Sequence, residues 1–353
     1  MQHKLALIGF GNVARALVRL LLRKQSLLED RYGVTFSFTG IATGRHGFAV
    51  DTLGLDIEKA LALAEAGGSL SSLSSVPVLD SPGVIRESGA DVMFENSPVN
   101  HSTGQPALDH IRLALTSGMH AITANKGSVV HGYRELTSLA EAHGRKFLFE
   151  STVLGGSPVF SIFRECMPAA ELLSFRGVLN STTNIILTRM ERGETFDQAV
   201  RYCQSIGVAE TDPSADVDGW DAAIKVAALV TVLMDVRLTP QSVEREGIRA
   251  ITSQMVAEAM ASGKRYKLVC SAQRQADGVR ATVKPELIAS SDPLYGMEDS
   301  TSGLAFRTDV LGDLSIIESE RAGMVAGPEP TAYGLLADFI NAVGRQTADR
   351  DVR

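Results

Sequence analysis

Cysteine is scarce in this chain, basic clusters are absent, and no apolar run is long. The three cysteines, Cys166, Cys203 and Cys270, are odd in number, widely spaced and form no CxxC pair. They fit small core residues in a reducing cytosol better than a disulfide framework or a zinc site. His101, His110, His120, His131 and His143 fall in no HxH or HExxH pattern, which argues against a histidine zinc site. With 34 basic against 41 acidic residues the formal charge is −7, so nucleic acid and anionic membrane surfaces are not expected partners. The longest mostly apolar run, 226–236, is too short to cross a bilayer. The opening LALIGFG reads as a strand and a glycine turn, not a signal peptide, and a cytoplasmic location is expected. At 353 residues, 44% hydrophobic and 21% charged, the chain is a globular one long enough for two domains.

Against that background the block 207–225, GVAETDPSADVDGWDAAIK, is unusual: it holds five carboxylates and one lysine in 19 positions. Lys225 lies one helical turn beyond Asp221 and runs into VAALVTVLMDV, so it must face a pocket or be paired. Carboxylates that can grip an ammonium, beside a lysine that can move a proton, suit a small amino-acid substrate. An EF-hand is excluded: with Asp216 and Asp218 at the third and fifth positions, Ser214 would be first, and Lys225 would stand where a bidentate Glu is required. Asp218 reads as a cap for the helix of Lys225, and Asp212, before Pro213, as a turn former.

The N-terminal region has the pattern of a dinucleotide-binding unit. A buried strand over 4–10 breaks at Gly9, Phe10, Gly11, Asn12, Val13 and Ala14, and a helical pattern follows through Leu17, Leu20, Leu21 and Leu28. Gly9 allows the tight turn, Gly11 the approach of a pyrophosphate to N–H groups at the helix start, and Ala14 close helix–strand packing. Further strands are expected at 34–42, 90–95, 121–123 and 146–150, with helices at 106–117 and 133–143. Strands alternating with helices give an α/β fold with a Rossmann-type doubly wound parallel sheet. No acid ends the second strand to hold a ribose 2′-hydroxyl; Arg45 stands there instead, either facing a 2′-phosphate or solvated in a loop. That favours NADP(H) over NAD(H).

Six segments in order resemble homoserine dehydrogenase, the family interconverting aspartate 4-semialdehyde and homoserine in threonine and methionine biosynthesis. They are GFGNVARAL, PALDHIRLALTSGMHAITANKGSV, FESTVLGGSPVF, GVLNSTTNIILTRMERGETFDQAV, SIGVAETDPSADVDGWDAAIKVAAL and AGMVAGPEPTAYGLLAD. The resemblance implies an NAD(P)-dependent oxidoreductase acting on a CH–OH group, active as a homodimer. It assigns proton relay to Lys225, with Lys126 of the ANKG match as electrostatic partner or alternate donor and Asp221 orienting Lys225. Such a lysine needs its pKa brought toward working pH, which burial and a neighbouring cation do. The α-ammonium falls to Glu210, with Asp216, Asn180 and Thr182 also on the substrate. Ser97, Lys126 and Gly323 join Gly9, Gly11, Asn12, Val13 and Arg45 on the cofactor. Glu150, Val153, Gly155 and Ser157 match a loop holding a monovalent ion, Na+ or K+, in some members, although a tight glycine turn would look the same.

The resemblance also sets the domain plan: residues 1–150 plus about 320–345 for the dinucleotide, and an inserted α+β catalytic and dimerisation domain over 151–319. A mixed sheet is expected there from 172–179, 266–273 and 278–288, carrying the helix of Lys225. A C-terminal regulatory module is not expected. Val208 replaces a usual tyrosine, Ser181 a usual glycine, and MVAGPEP is an unusual spelling. Val208 and Ser181 keep a related oxidoreductase on another amino or hydroxy acid open as a rival. The other rival, a non-catalytic NADP(H)-binding sensor, predicts loss of the lysines or acids, whereas Lys126, Glu210, Asp221 and Lys225 are all present.

Overall fold

The computed structural model describes residues 2–319 and 327–344. The chain divides into two compact units, Met1–Gly156 with Pro328–Arg353, and Ser157–Gly327.

In the first unit, β1 (Gln2–Ile8) leads into α1 (Asn12–Arg23) and α2 (Gln25–Tyr32), and β2 (Thr35–Thr43) returns alongside β1. Next come β3 (Gly47–Val50), α3 (Ile57–Glu65), α4 (Ser81–Glu87), β4 (Val92–Glu95) and α5 (Ala107–Thr116). Then follow β5 (His120–Thr123), α6 (Lys126–Ala142) and the two-residue β6 (Phe147–Leu148). The sheet order is β3-β2-β1-β4-β5-β6, with the switch in strand order at β1 and β4, where Ile8 pairs with Glu95. All neighbours are parallel except β3, which turns back antiparallel on β2 through Gly44, Arg45 and His46. That short hairpin strand has no apolar alternation long enough to announce it. The single helix expected to run through Leu28 is two, because the backbone at Lys24 leaves the helical region (φ −101°, ψ 6°).

Period-two alternation gives β1 two buried faces. Leu5 and Leu7 join a core with Phe10, Ala14, Leu17 and Leu21 of the α1 side. On the other face, Gly40 brings α4 down onto the sheet: a Cβ there would lie 2.8 Å from Ser88 Cβ and 3.6 Å from Ala6 Cβ. Helices on both faces are the doubly wound arrangement.

The second unit opens with a π-type turn and β7 (Leu172–Val178), then α7 (Ser181–Glu191), α8 (Phe196–Ser205), the one-turn α9 (Ser214–Val217) and α10 (Trp220–Leu233). It continues with β8 (Glu244–Arg245), α11 (Ser253–Ala261), β9 (Lys264–Gln275), β10 (Gly278–Ala289), β11 (Ser302–Thr308) and β12 (Gly312–Glu318). The sheet order is β12-β11-β7-β9-β10-β8, antiparallel apart from the short β8–β10 pair, so it is mixed. The β11–β12 hairpin is an addition to the three strands expected from the sequence. After it, α12 (Glu329–Val343) returns to the first unit, where Leu335, Leu336 and Phe339 enter the α1 core. Phe339 meets Phe94 edge-on at 6.0 Å.

The cysteine reading needs one correction. Cys203 and Cys270 are buried, and burial raises their thiols to about 11 and about 12, whereas Cys166 is exposed at the end of the π-type turn. In the native protein one thiol of three should therefore react promptly with a disulfide reagent near pH 8; fast release of a second would contradict the packing.

Lys267 of β9 is fully buried, and its Nζ donates to Asn184 Oδ1 (3.0 Å) and Met297 O (2.5 Å). Burial lowers its pKa from 10.5 to about 8, with the Glu191 carboxylate opposing the shift. Between those values the unfolded chain binds the extra proton, so this lysine's contribution is present above pH 10.5 and lost as pH falls toward 8. Chemical denaturation of the wild type and Lys267→Met should show it. The wild type should gain about 3 kcal/mol relative to the variant from pH 8 to 10.5, and a constant difference would refute the assignment.

Candidate active site

The ionisable cluster of the second unit is built where β7 ends and α10 begins. The chain leaves β7 through Leu179, and Asn180 caps α7 with its side-chain oxygen, accepting from Thr183 N (2.8 Å) and Thr183 Oγ1 (2.9 Å). Its amide nitrogen is left to donate to two carboxylates, Asp216 Oδ1 (2.6 Å) and Asp221 Oδ2 (3.0 Å). Asp216 comes from α9, and the Thr182 hydroxyl also bonds to it. Asp221, in the first turn of α10, pairs with Lys225 one turn on, Oδ2 to Nζ at 3.0 Å. Lys225 Nζ also donates to Leu179 O at 2.6 Å. Both side chains are mostly buried, 14% and 18% exposed.

Two carboxylates and one ammonium leave this cluster one negative charge in excess. Desolvation, and then the charge of Asp221, hold the Asp216 pKa above its ordinary value, while the Asn180 hydrogen bond pulls it down. The cluster is therefore a partly dried cation receptor with a lysine at its edge.

The nucleotide half lies in the first unit, at the strand-order switch where α/β sheets bind ligands. Gly9 has φ +88°, and a Cβ there would lie 2.4 Å from Asn96 O, so the turn after β1 presses on the turn after β4. Gly11 is the N-cap of α1, with nothing within 4 Å of where a Cβ would be. No side chain caps that helix and no acid sits in its first turn, so Asn12 and Val13 begin it with its positive end open, a fit for a pyrophosphate. Ala14 is fully buried at the third motif position. Lys126 is the first residue of α6, behind the N-cap Asn125, whose Oδ1 accepts from Gly127 N (3.0 Å). Ser97 follows β4 and bonds to Glu95. Arg45 is exposed at the tip of the β2–β3 hairpin. The serine-rich loop after α3 docks on this hairpin, with Leu70 N bonded to His46 O (2.8 Å) and Gly68 O to the His46 ring (2.9 Å).

Some expected residues stand apart. Glu210 is exposed on the loop before α9, and its backbone oxygen accepts from Gln204 (3.2 Å). Asp218 is no cap: Gly219 caps α10, and Asp218 pairs with Arg249 at 2.5 Å. Asp212 does form the expected turn, accepting from Ser214 N (3.0 Å). Gly323 lies outside the described residues.

In the candidate cation loop, Glu150 N donates to Asp338 Oδ2 (2.8 Å), and Ser157 Oγ to Glu318 Oε2 (2.8 Å) in the second unit. Val153 is buried and Gly155 takes φ +32°. Packing alone explains the next glycine, since a Cβ at Gly156 would lie 2.7 Å from Pro330 O. Among the described residues no group of three or more His, Cys, Asp or Glu is placed to hold a metal ion. Nor is any helix there long and apolar enough to cross a membrane.

Residues 9–150 match the NAD-binding domain of homoserine dehydrogenase, and residues 158–340 match the homoserine dehydrogenase family itself. The chain belongs to the homoserine dehydrogenase family. It is 34% identical to the NAD(+)-dependent homoserine dehydrogenase of Pseudomonas canavaninivorans, over 96% of each chain. It is also 34% identical to the homoserine dehydrogenase of Methanocaldococcus jannaschii, over 95% of this chain and 97% of that one. Among solved structures, a homoserine dehydrogenase from Thiobacillus denitrificans superposes with a TM-score of 0.80 at 26% identity, covering 99% of this chain and 75% of the other. A hyperthermophilic archaeal homoserine dehydrogenase mutant in complex with NADPH gives a TM-score of 0.79 at 28% identity, covering all of both chains. Family membership makes the protein a nicotinamide-dependent oxidoreductase acting on a CH–OH group.

The sequence did not single out Asn96, and it named Asn180 without its bridging role. Both amide atoms of Asn96 are buried with no hydrogen-bond partner among the described residues, and Asn180 proves to be the bridge of the acidic cluster rather than a simple cap. An Asn directly after a strand end, at the switch point, is the signal that could have marked Asn96.

The raised pKa of Asp216 fixes the sign of a stability effect. Its contribution is fully present below 3.8 and is lost as pH rises through the raised value. Asp216→Asn should therefore melt above the wild type at pH 7, with the advantage shrinking as the pH approaches 4. A lower melting temperature at pH 7 would mean that Asn180 and Thr182 outweigh the desolvation.

Proposed function

We propose that the protein interconverts L-homoserine and L-aspartate 4-semialdehyde, with Lys225 moving the proton on the substrate oxygen. The observation that carries the reading is the Lys225–Asp221 pair at 3.0 Å, tied by Asn180 to the partly dried Asp216. In the oxidative direction the C4 hydroxyl gives its proton to the neutral amine form of Lys225 as the C–H hydride departs and the carbonyl forms. The nicotinamide supplies the hydride acceptor. In the reducing direction the Lys225 ammonium returns the proton to the carbonyl oxygen. Asp221 and Leu179 O hold Nζ in place, and Asp216 with Asp221 supplies the negative charge that favours an amino-acid ammonium. Glu210 we assign to that ammonium as well, from the loop, and Thr182 to the support of Asp216. Lys126 is the electrostatic partner, with the helix start behind it.

On the cofactor we place Gly9, Gly11, Asn12 and Val13 at the pyrophosphate and Ser97 with Asn96 at the nicotinamide end, where a ligand would satisfy the buried amide. Arg45 we assign to a 2′-phosphate, giving NADP(H) as the preferred form; the name of the Pseudomonas relative argues the other way. The assembly we propose is a homodimer, which light scattering would read as twice the chain mass of 37.7 kDa. A monovalent ion at Glu150, Val153, Gly155 and Ser157 is proposed on resemblance alone, and no step depends on it. Val208 leaves the loop without a hydroxyl at that place, and this favours as second reading a related amino- or hydroxy-acid substrate.

Absorbance at 340 nm with L-homoserine decides the matter. Turnover is expected, falling about 100-fold or more in Lys225→Ala, since a positioned acid–base is worth roughly 10²–10⁴. NADPH binding without homoserine turnover would overturn the substrate. Arg45→Ala should raise the KM for NADP+ about tenfold and leave NAD+ unchanged, because a charge-assisted phosphate contact is worth roughly 1.5 kcal/mol or more. A wild type faster with NAD+ would overturn the cofactor assignment.

A further inference from the structure

Glu95 and His110 are the buried titratable pair that the mechanism above leaves unused. Glu95 is the last residue of β4, at the switch point, and is completely buried. An uncompensated carboxylate there would be costly, so its partners say what it is for. Ser97 approaches it twice, through its backbone N–H at 3.2 Å and through its hydroxyl. His110 Nδ1 of α5 lies 3.4 Å away on the same oxygen, and Thr123 Oγ1 3.5 Å from the other.

These contacts close into a ring. Thr123 Oγ1 donates to Glu95 O at 2.9 Å and accepts from Asn125 N at 2.9 Å. Asn125 Nδ2 returns to Ser97 O at 3.0 Å, and Ser97 returns to the Glu95 carboxylate. Inside the ring, Asn96 is the residue against which Gly9 is pressed, and its amide atoms are buried with no hydrogen-bond partner among the described residues. Directly after the ring, Lys126 starts α6. The Glu95 carboxylate thus closes a ring that ties the turn after β4 to the start of the lysine helix, while the backbone of Asn96 in that turn lies against the glycine turn.

We infer that Glu95 is a positioning residue for the nicotinamide cofactor, fixing the 95–98 turn through Ser97 and tying it through Thr123 and Asn125 to the start of α6. It touches neither substrate nor cofactor. It acts by holding Asn96 and Ser97 in one geometry before the cofactor arrives, so that binding does not have to order the turn. A carboxylate suits the post because both of its oxygens accept, whereas glutamine would put an NH2 donor in place of one of them. The inference rests on the nicotinamide reading of this half-site but not on the identity of the substrate.

The test is NADPH affinity by nucleotide fluorescence for the wild type, Glu95→Gln and Thr123→Val, with thermal midpoints and the KM for homoserine measured beside it. Glu95→Gln should weaken NADPH about tenfold and Thr123→Val about threefold, with the homoserine KM at saturating cofactor within twofold of wild type. A residue that only supports the fold would lower the melting temperature and leave the NADPH affinity measured well below it unchanged; that result overturns the inference. If Glu95→Gln does not fold, Thr123→Val and His110→Gln decide by the same criterion. A wild type that binds NADPH yet ignores homoserine sinks the substrate assignment alone, since the affinity comparison still stands. A wild type that binds neither NADPH nor NADH sinks this inference.

Discussion

The ammonium of Lys225, set on a helix with almost no other polar residue facing inward, is the constraint from which the substrate half of the molecule follows. Helix α10 buries Ile224, Val226, Leu229 and Val230 completely, each worth about 1.5–3 kcal/mol of apolar transfer. That sum is enough to drag a lysine under the surface, and the desolvation of one ion costs several kcal/mol unless it is paired. Every neighbour answers that demand. Asp221 is one turn back on the same helix, Leu179 O comes from the end of β7, and Asn180 restrains Asp221 from the other side. The end of the strand, the cap of α7 and the start of α10 are thereby locked to one another by a charge that packing alone would have expelled.

Charge is handled differently in the two units. At its glycine turn the nucleotide half presents partial charges, from backbone N–H groups at an uncapped helix start, as suits a diphosphate that brings its own full charge. Two of its buried carboxylates are taken up by internal donors, Glu95 by Ser97 and Asp338 by Glu150 N. The substrate half keeps full charges and leaves them unbalanced by one, as suits a small ligand whose recognition must come from an ammonium. Each half is thus electrostatically incomplete in the sense opposite to the ligand proposed for it.

Much of this was legible in the sequence, and what escaped had a common cause. The glycine turn, the alternation of strands and helices and the Asp221–Lys225 spacing are local patterns, and local patterns survive in one dimension. β3 is a four-residue edge strand, and β11 takes its place in the sheet by pairing with β7, whose residues lie more than a hundred positions back in the chain. The break at Lys24 divides a helix whose apolar spacing continues across it. Asp218 looked like a cap because acids favour helix starts, but Gly219 takes the left-handed position (φ +78°) and frees Asp218 to meet Arg249. Glu210 has the right residue type and the right neighbours in sequence, yet its side chain is exposed while Asp216, six residues on, turns inward.

Asn180 shows why such cases resist a linear reading. As a residue before a helix it has an obvious local task, and it performs that task with one oxygen. The same side chain carries two further donors, and nothing local constrains them. Their use depends on α9 and α10 arriving with two carboxylates from 36 and 41 residues away. A cap that faced solvent would have been replaceable by Ser or Asp at little cost, since all three cap well. Here neither would serve: Asp would put a third carboxylate beside Asp216 and Asp221, and Ser has one donor for two acceptors. The choice of asparagine is therefore set by the carboxylates it bridges rather than by the helix it starts.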